Sequence, residues 1–357
     1  MRIFKVLSLL MLVAMLAALV GCAPAAPAPA PAEAPAAAPA ATEAPAVAAP
    51  TEAPAAPAEP EKKTFTYKDM VVGFIQTGSE GGWRTANTGS FKETAEQLGI
   101  NLKFYDAQNK QENQISAFRN FVADPEVNVI ILAALETTGY EDVLKEAKAA
   151  GKVVVLEDRR IDAPEDLYAT YIGSDFVDEG HKSADEMCKL LEGSEKKNVV
   201  ELVGNVGSSA AKDRGVGFRE KMGDCGIEIT QSQTANWSAT EGKQVMEAFL
   251  KKDKDIQGVF AQNDEMGLGA AQAIKEAGLK PGVDIKILTV DATAGAFKAM
   301  IAGDINTVVE CNPLLAPQVY EAALKAVNGE ELPKWVPSQE GVFYAKDAAT
   351  ILPTRKY

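Results

Sequence analysis

From Tyr67 onward the chain alternates short runs rich in Val and Ile with longer segments whose apolar residues recur at helical spacing. Alternation of this kind is the signature of βαβ units and a parallel sheet, because a strand covered on both faces reads as a continuous apolar run. The pattern predicts strands over Val71–Gln76, Asn101–Asp106, Val127–Ala134 and Val153–Glu157, then Asn198–Gly204, Glu228–Ser232, Gly258–Gln262, Ile285–Val290 and Thr307–Glu310. Helices are predicted between them, among others over Thr85–Leu98, Gln111–Ala123, Tyr140–Ala150, Phe176–Leu191, Ala211–Met222, Thr240–Lys252, Met266–Ala277 and Ala294–Ala302. Several stop at a glycine (Gly99, Gly151, Gly278, Gly303), the residue that most easily takes the left-handed conformation that ends a helix.

The predicted elements divide into two similar halves near Ile172 to Asp175, so the fold class expected is α/β, with two doubly wound Rossmann-like lobes. Ligands in such sheets bind beyond the carboxyl ends of strands, which directs attention to the residues that follow each one. After the first strand come Glu80, Trp83 and Arg84, in a glycine-rich loop; after the fourth come Asp158 and Arg159. In the second half the strand ends are followed by Ser208, Ser209, Asp213 and Arg214, by Asn236 and Trp237, by Asn263 and Asp264, by Asp291, and by Glu310 with Asn312.

That set of side chains suits a sugar. Vicinal hydroxyls both donate and accept, and Asp, Glu, Asn and Arg can each engage two of them at once. The apolar C–H face of a sugar ring packs on aromatic rings, a role open to Trp83 and Trp237. Singly, each residue has an ordinary structural reading: Asp158 and Arg159 as a surface ion pair, the tryptophans as core, Asn263 and Ser208 as helix caps. Together, at strand ends of both halves, they mark a ligand cleft.

Composition narrows the partners. The chain has 357 residues with 46% hydrophobic content, enough for two compact lobes. Its net charge of -14 argues against nucleic acid, whose binding is dominated by basic surface neutralising phosphates. At the N-terminus, Arg2 and Lys5 precede an apolar stretch from Val6 to Val20, then Gly21 and Cys22, the layout of an export signal spanning residues 1–21. The tetrad Leu19, Val20, Gly21, Cys22 resembles a bacterial lipobox, which implies acylation of Cys22 and a lipid anchor in the membrane. Between Ala23 and Pro60 lie 11 of the 19 prolines in a sequence otherwise almost wholly Ala, Glu and Thr. Such a segment cannot bury enough apolar area to fold, so residues 22–66 are expected to be a disordered tether, reaching roughly 100 Å if fully extended.

Four stretches, VGFIQTGSEGGWRTA from Val72, QNKQENQI from Gln108, VLKEAK from Val143 and QAIKEAGLKPG from Gln272, resemble the type 1 periplasmic binding protein family in its sugar-binding branch of ABC importer receptors. The resemblance runs from Val71 to the end of the chain. It implies two lobes, residues 67–172 with 312–340 and residues 173–311 with 341–357, joined by crossings near Ile172–Asp175, Glu310–Pro313 and Glu340–Tyr344. It also implies a monosaccharide ligand, galactofuranose or a related hexose or pentose, delivered to a permease and its ATPase by a monomeric receptor outside the cytoplasm. Residue by residue, Trp83, Arg84, Asp158 and Arg159 match ligand positions of the first lobe, and Arg214, Trp237, Asn263 and Asp291 those of the second. Glu310 matches a hinge position that contacts ligand, and Glu80 is a further candidate. The chain departs from the family pattern at Trp237, where Phe is usual, and at Ala292, where Gly is usual.

Apart from Cys22, the cysteines are Cys188, Cys225 and Cys311, so one bridge and one leftover thiol are expected, with Cys188 and Cys225 as the pair. No metal site and no cofactor is expected. The single histidine, His181, assembles neither a triad nor a two-histidine zinc site. Gly267 and Gly269 begin a dinucleotide-type loop, but Gln272 replaces its third glycine. The chief alternative is an exported glycosidase using two of Asp158, Asp291 and Glu310; nearby arginines are expected to depress those carboxyl pKa values, which is unsuited to a general acid. A sugar-responsive transcription regulator is excluded by the export signal and by the lack of basic DNA-binding helices ahead of Tyr67.

Overall fold

The computed structural model describes residues 64–79 and 81–357. The export signal, Cys22, the tether up to residue 63, and Glu80 lie outside the described residues.

The first half runs β1 (Val71–Gln76), α1 (Gly82–Leu98), β2 (Asn101–Asp106), α2 (Gln111–Ala123), β3 (Val129–Leu132), α3 (Glu141–Ala149), β4 (Val153–Glu157) and β5 (Thr170–Gly173). The second runs α4 (Phe176–Leu190), β6 (Asn198–Val203), α5 (Ser209–Met222), β7 (Glu228–Thr234), α6 (Ala239–Lys252), β8 (Gly258–Ala261), α7 (Asp264–Glu276), β9 (Lys286–Asp291), α8 (Ala294–Ala302) and β10 (Thr307–Glu310). The chain then returns through α9 (Ala316–Val327) and β11 (Trp335–Pro337), and ends with β12 (Val342–Tyr344) and α10 (Ala348–Ile351).

Two six-stranded sheets result, ordered β11-β5-β4-β3-β1-β2 and β12-β10-β9-β8-β6-β7. The first is parallel throughout, and the second is parallel except for β12, which runs antiparallel to β10. Both are doubly wound, with the chain starting near one edge and reversing direction beside β1 or β6, which opens a crevice at the strand ends. The chain passes between the sheets three times, between Gly173 and Phe176, between Glu310 and Ala316, and between Pro337 and Val342. The third passage comes a few residues before the expected Glu340–Tyr344, because Val342 is already paired with Val309 of the second sheet.

Strand β3 shows why the apolar runs were continuous. All four of its residues are buried, Val129 and Ile131 against Phe74, Phe91 and Tyr320 on one face, Ile130 and Leu132 against Tyr140 and Val143 on the other. In the second lobe, α4 and α5 approach closely through Gly180 and Gly217. A Cβ on Gly217 would stand 2.1 Å from the Val177 carbonyl oxygen, and one on Gly180 would stand 2.4 Å from that of Arg214. Only glycine permits this approach, and it sets Glu179 directly beside Arg214. A disulfide joins Cys188, near the end of α4, to Cys225, just after α5, while Cys311 is buried with a free thiol.

Candidate functional site

The backbone itself marks the strand ends. Glycines aside, the described residues with positive φ are Gln108, Asn109, Asp158, Asn236, Trp237, Asp291 and Ala292. All of them sit at or just beyond the carboxyl end of β2, β4, β7 or β9. Conformations of this kind are disfavoured for residues with a Cβ, by on the order of 1–3 kcal/mol each, and persist where surrounding contacts enforce them. Trp237 at φ 64° and Ala292 at φ 69° have no side-chain group that eases the strain as Asn or Asp can.

A cavity with about 420 Å³ of unfilled space, its solvent margin included, lies where these ends meet. Its walls come from both halves, with Trp83, Arg84, Asp158 and Arg159 from the first and Arg214, Trp237, Asn263 and Asp291 from the second. Eight of the ten sugar-contact residues expected from the sequence therefore surround one space. Glu80 lies outside the described residues, and Glu310 does not line the cavity. The carboxylate of Glu310 accepts hydrogen bonds from Arg355 Nη1 at 2.8 Å, Tyr357 Oη at 3.0 Å and the Gly341 N–H at 3.1 Å. These partners hold it against the last residues of the chain.

The first-lobe wall starts at the N-terminal turn of α1. Trp83 Nε1 donates to the Cys311 carbonyl at 2.7 Å, which fixes the indole to the second crossing. Arg84 lies over that indole, 4.5 Å from its centroid, and its Nη2 donates to Asp158 Oδ2 at 2.6 Å. Arg159 Nε stands 3.6 Å from the same carboxylate oxygen. Behind them, Asn87 Nδ2 donates to the buried Glu157 Oε2 at 3.1 Å. Burial and the neighbouring Asp158 raise the Glu157 carboxyl above its ordinary value, the two nearby arginines opposing the shift.

In the second-lobe wall, Arg214 is fully enclosed and heavily bonded. Its Nε donates to Glu179 Oε2 at 2.6 Å and its Nη1 to the Gln262 carbonyl at 2.7 Å, while Nη2 stands 3.7 Å from Asp291 Oδ1. Arg159 and Arg214 both lie near the Trp237 ring, at 5.8 and 5.6 Å from its centroid. That indole fills the side-chain space of Gly204, where a Cβ would stand 2.0 Å from the ring, and its buried Nε1 has no hydrogen-bond partner among the described residues. Asn263 caps α7 by accepting from the Met266 N–H at 3.0 Å, and its Nδ2 donates to the Trp237 carbonyl at 3.3 Å.

Asp291 overturns one sequence-based argument. Its pKa is raised well above the ordinary value rather than depressed, because burial outweighs Arg214, and Asp264, Glu179 and Asp158 add negative potential. Arg214 has its shortest bonds elsewhere, so its compensation of Asp291 is partial. A depressed pKa therefore does not exclude Asp291 as a general acid.

Sequence reasoning missed Glu265, Ala210 and Cys311, which also line the cavity. Glu265 follows Asn263 and Asp264 at the start of α7, where the strand-end rule pointed, yet its neighbour Asp264 is the structural one. Asp264 Oδ1 accepts from Thr289 Oγ1 at 2.5 Å and Oδ2 from the Thr293 N–H at 2.7 Å. Glu265 Oε1 instead reaches the other lobe and accepts from the Gly82 N–H at 3.1 Å. Further contacts join the lobes around the opening, from the Thr137 N–H to the Gly207 carbonyl at 2.9 Å, from the Arg160 N–H to Ser209 Oγ at 3.0 Å, and between the Arg160 guanidinium and Asp213. Arg84, Arg159 and Arg214 are matched in the cavity wall by Asp158, Glu265 and Asp291, so the formal charges cancel.

Residues 72–331 match the periplasmic binding protein domain. The galactofuranose-binding protein YtfQ of Escherichia coli (strain K12) is 44% identical over 285 residues, covering 78% of this chain and 89% of that protein. A solved structure from Mycobacterium smegmatis, in complex with beta-D-fucofuranose, is 45% identical, with a TM-score of 0.78 over 81% of this chain and 95% of its own. The periplasmic binding protein component of the arabinose ABC transporter from Shewanella sp. ANA-3, bound to alpha- and beta-L-arabinofuranose, is 43% identical, with a TM-score of 0.78 over 80% of this chain and 96% of its own. With two doubly wound lobes, three crossings and this match over most of its length, the chain belongs to the periplasmic binding protein family.

Proposed function

We propose that the chain is the sugar receptor of an ABC importer, which captures one monosaccharide in the interlobe cavity and delivers it unchanged to a permease. The observation that carries this reading is the convergence of Arg84, Asp158 and Arg159 from one lobe with Arg214, Asn263 and Asp291 from the other, beside Trp83 and Trp237. Charged groups that cancel around one space suit a neutral polyol, since an acidic or basic ligand would leave a net charge buried. Relatives named for galactofuranose, or solved with fucofuranose and arabinofuranose, support a furanose as the ring form. The ten residues Glu80, Trp83, Arg84, Asp158, Arg159, Arg214, Trp237, Asn263, Asp291 and Glu310 reduce in this reading to the eight around the cavity, with Glu265 added as a closing contact.

The lobes would open by bending at the three crossings and close over the sugar. The N-terminal sequence supports export and acylation of Cys22, with the tether giving the folded part reach from the membrane. No helix among the described residues is long and apolar enough to cross a membrane. Catalysis is not part of this reading; the glycosidase alternative has only the raised Asp291 carboxyl in its favour.

Calorimetry with D-galactose, D-fucose, L-arabinose and D-fructose, each followed by analysis of the recovered sugar, tests the proposal. One sugar is expected to bind with one-to-one stoichiometry and to be recovered intact. Arg159→Ala and Asp291→Ala are each expected to weaken binding by roughly a hundredfold, as loss of a charged hydrogen-bond partner in a closed site does. Turnover of a sugar, or unaltered affinity in both variants, would contradict it.

A further inference from the structure

The three crossings between the lobes meet at one carboxyl group that does not line the cavity. Glu340, on the third crossing, accepts through Oε1 from Ser174 Oγ at 2.5 Å, from the Asn312 N–H at 3.0 Å and from Ser338 Oγ at 2.7 Å. Ser174 belongs to the first crossing, Asn312 to the second and Ser338 to the third, so one oxygen is shared by all of them. Ser174 Oγ also lies 3.3 Å from Cys311 Sγ, and the Cys311 carbonyl is the group that receives the Trp83 indole N–H. The joint is thus one residue removed from the cavity wall.

The surroundings favour a fixed arrangement. From α4, Glu179 faces the joint while held by Arg214, and Lys182 Nζ donates to the Glu340 carbonyl at 3.2 Å. From the second crossing comes the buried Cys311 thiol, and Gly341, next in the chain, is bonded to Glu310, itself paired with Arg355. Burial, with Glu179 adding to it, pushes the Glu340 carboxyl up to about 8, against the three hydrogen bonds that oppose the shift. A side chain in a sequence turn between two short strands would ordinarily be solvated; here it is the only side chain bonded to all three crossings among the described residues.

We propose that Glu340 is a positioning residue for ligand capture, tying the three crossings into one joint and so setting the geometry of lobe closure without touching the sugar. Any bending that parts the lobes passes through these segments, and a joint that holds their spacing restricts the motion to a common axis. Coupling of this kind acts on affinity through the open and closed populations rather than through contacts. The inference rests on the receptor reading for its effect on affinity, but the joint itself can be observed without any ligand.

The test uses the full chain with Glu340→Ala, Glu340→Gln and Ser174→Ala. Hydrogen–deuterium exchange without sugar is read at peptides covering residues 172–176, 311–315 and 337–341, and calorimetry with D-galactose, D-fucose and L-arabinose gives affinity. Glu340→Ala is expected to speed exchange in all three peptides and to weaken sugar binding by about tenfold, within the range typical of coupled sites. Glu340→Gln keeps an acceptor oxygen and is expected to restore both, and Ser174→Ala to show the same changes to a smaller degree. Wild-type exchange at the crossings in both Glu340→Ala and Ser174→Ala, or equal loss in Glu340→Gln, would overturn the proposal. If the wild-type chain binds none of the sugars, the receptor reading fails while the exchange results still decide the joint.

Discussion

The two lobes share one topology but build their halves of the cavity differently. In the first, the cavity-lining side chains come from the first turn of α1 and the residues just after β4, and the Arg84–Asp158 pair is made inside the cavity wall at 2.6 Å. In the second they come from the ends of β7, β8 and β9 and from α5, and the shortest bonds of Arg214, on α5, run to Glu179 and to the Gln262 carbonyl. Backbone strain is also uneven: among the described residues other than glycine, only Asp158 of the first-lobe wall has positive φ, against Trp237 and Asp291 in the second, flanked by Asn236 and Ala292. The second lobe therefore holds its ligand groups by an outer scaffold of buried charge, close helix packing and a disulfide, while the first relies on contacts within the wall. Among the described residues the Trp237 N–H of the second wall has no hydrogen-bond partner, whereas Arg84 and Asp158 of the first are bonded to each other.

The strongest way to break this comparison is to remove the outer scaffold. Glu179→Ala leaves the Arg214 guanidinium buried without its main partner, and is expected to lower stability by about 3–5 kcal/mol in chemical denaturation. A loss below about 1 kcal/mol would show that the second-lobe wall does not depend on that pair.

A smaller effect is expected from pH. Glu340 is raised from 4.5 to about 8, Asp264 from 3.8 to about 6, and Glu157 and Asp291 are raised as well. The native state keeps protons that the unfolded chain has released, so their contribution is full below the ordinary carboxyl range and is lost as pH rises towards about 8. Lowering pH further removes the opposite contribution from Asp124, Asp166, Asp255 and Glu276, whose lysine partners hold them below their ordinary values. Thermal unfolding is therefore expected at a midpoint about 2–4 °C higher at pH 5 than at pH 8.5. A midpoint that rises steadily through this window would mean that these carboxyls are solvated. The smallest expected change is a gain of about 0.5 kcal/mol for Ala292→Gly, which relieves a left-handed residue but adds freedom to the unfolded chain. Urea denaturation of the variant measures it, and a net loss would show that Ala292 is not strained.

How far these features could be read from the sequence differs along the chain. Strands β1, β2, β4 and β10 were legible to the residue; in β1, β4 and β10 a largely buried apolar run leaves a strong local signal, whereas β2 is a partly exposed edge strand. Strands β5, β11 and β12 were not anticipated; they are three or four residues long, and two of them are edge strands with little burial. Helix α9 was also absent from the predicted set, since it follows a crossing rather than a strand of its own lobe. In the site, the strand-end rule located the Asp158–Arg159 pair, Trp237 and Asp291 without three-dimensional information. It could not say which way a side chain turns, and so it passed over Glu265, which lines the cavity, and did not anticipate what Glu310 bonds to. The partners that claim Glu310, Arg355 and Tyr357, stand 45 and 47 residues further along, beyond any local pattern.

The central claim, that both lobes grip a single sugar in one cavity, is tested most directly by a crystal structure of the chain grown with the sugar that calorimetry selects. The account expects one furanose ring enclosed between the lobes, with hydroxyls bonded to Asp158 or Arg159 on one side and to Asp291 or Arg214 on the other. A sugar held by one lobe alone, or bound outside this cavity, would contradict it.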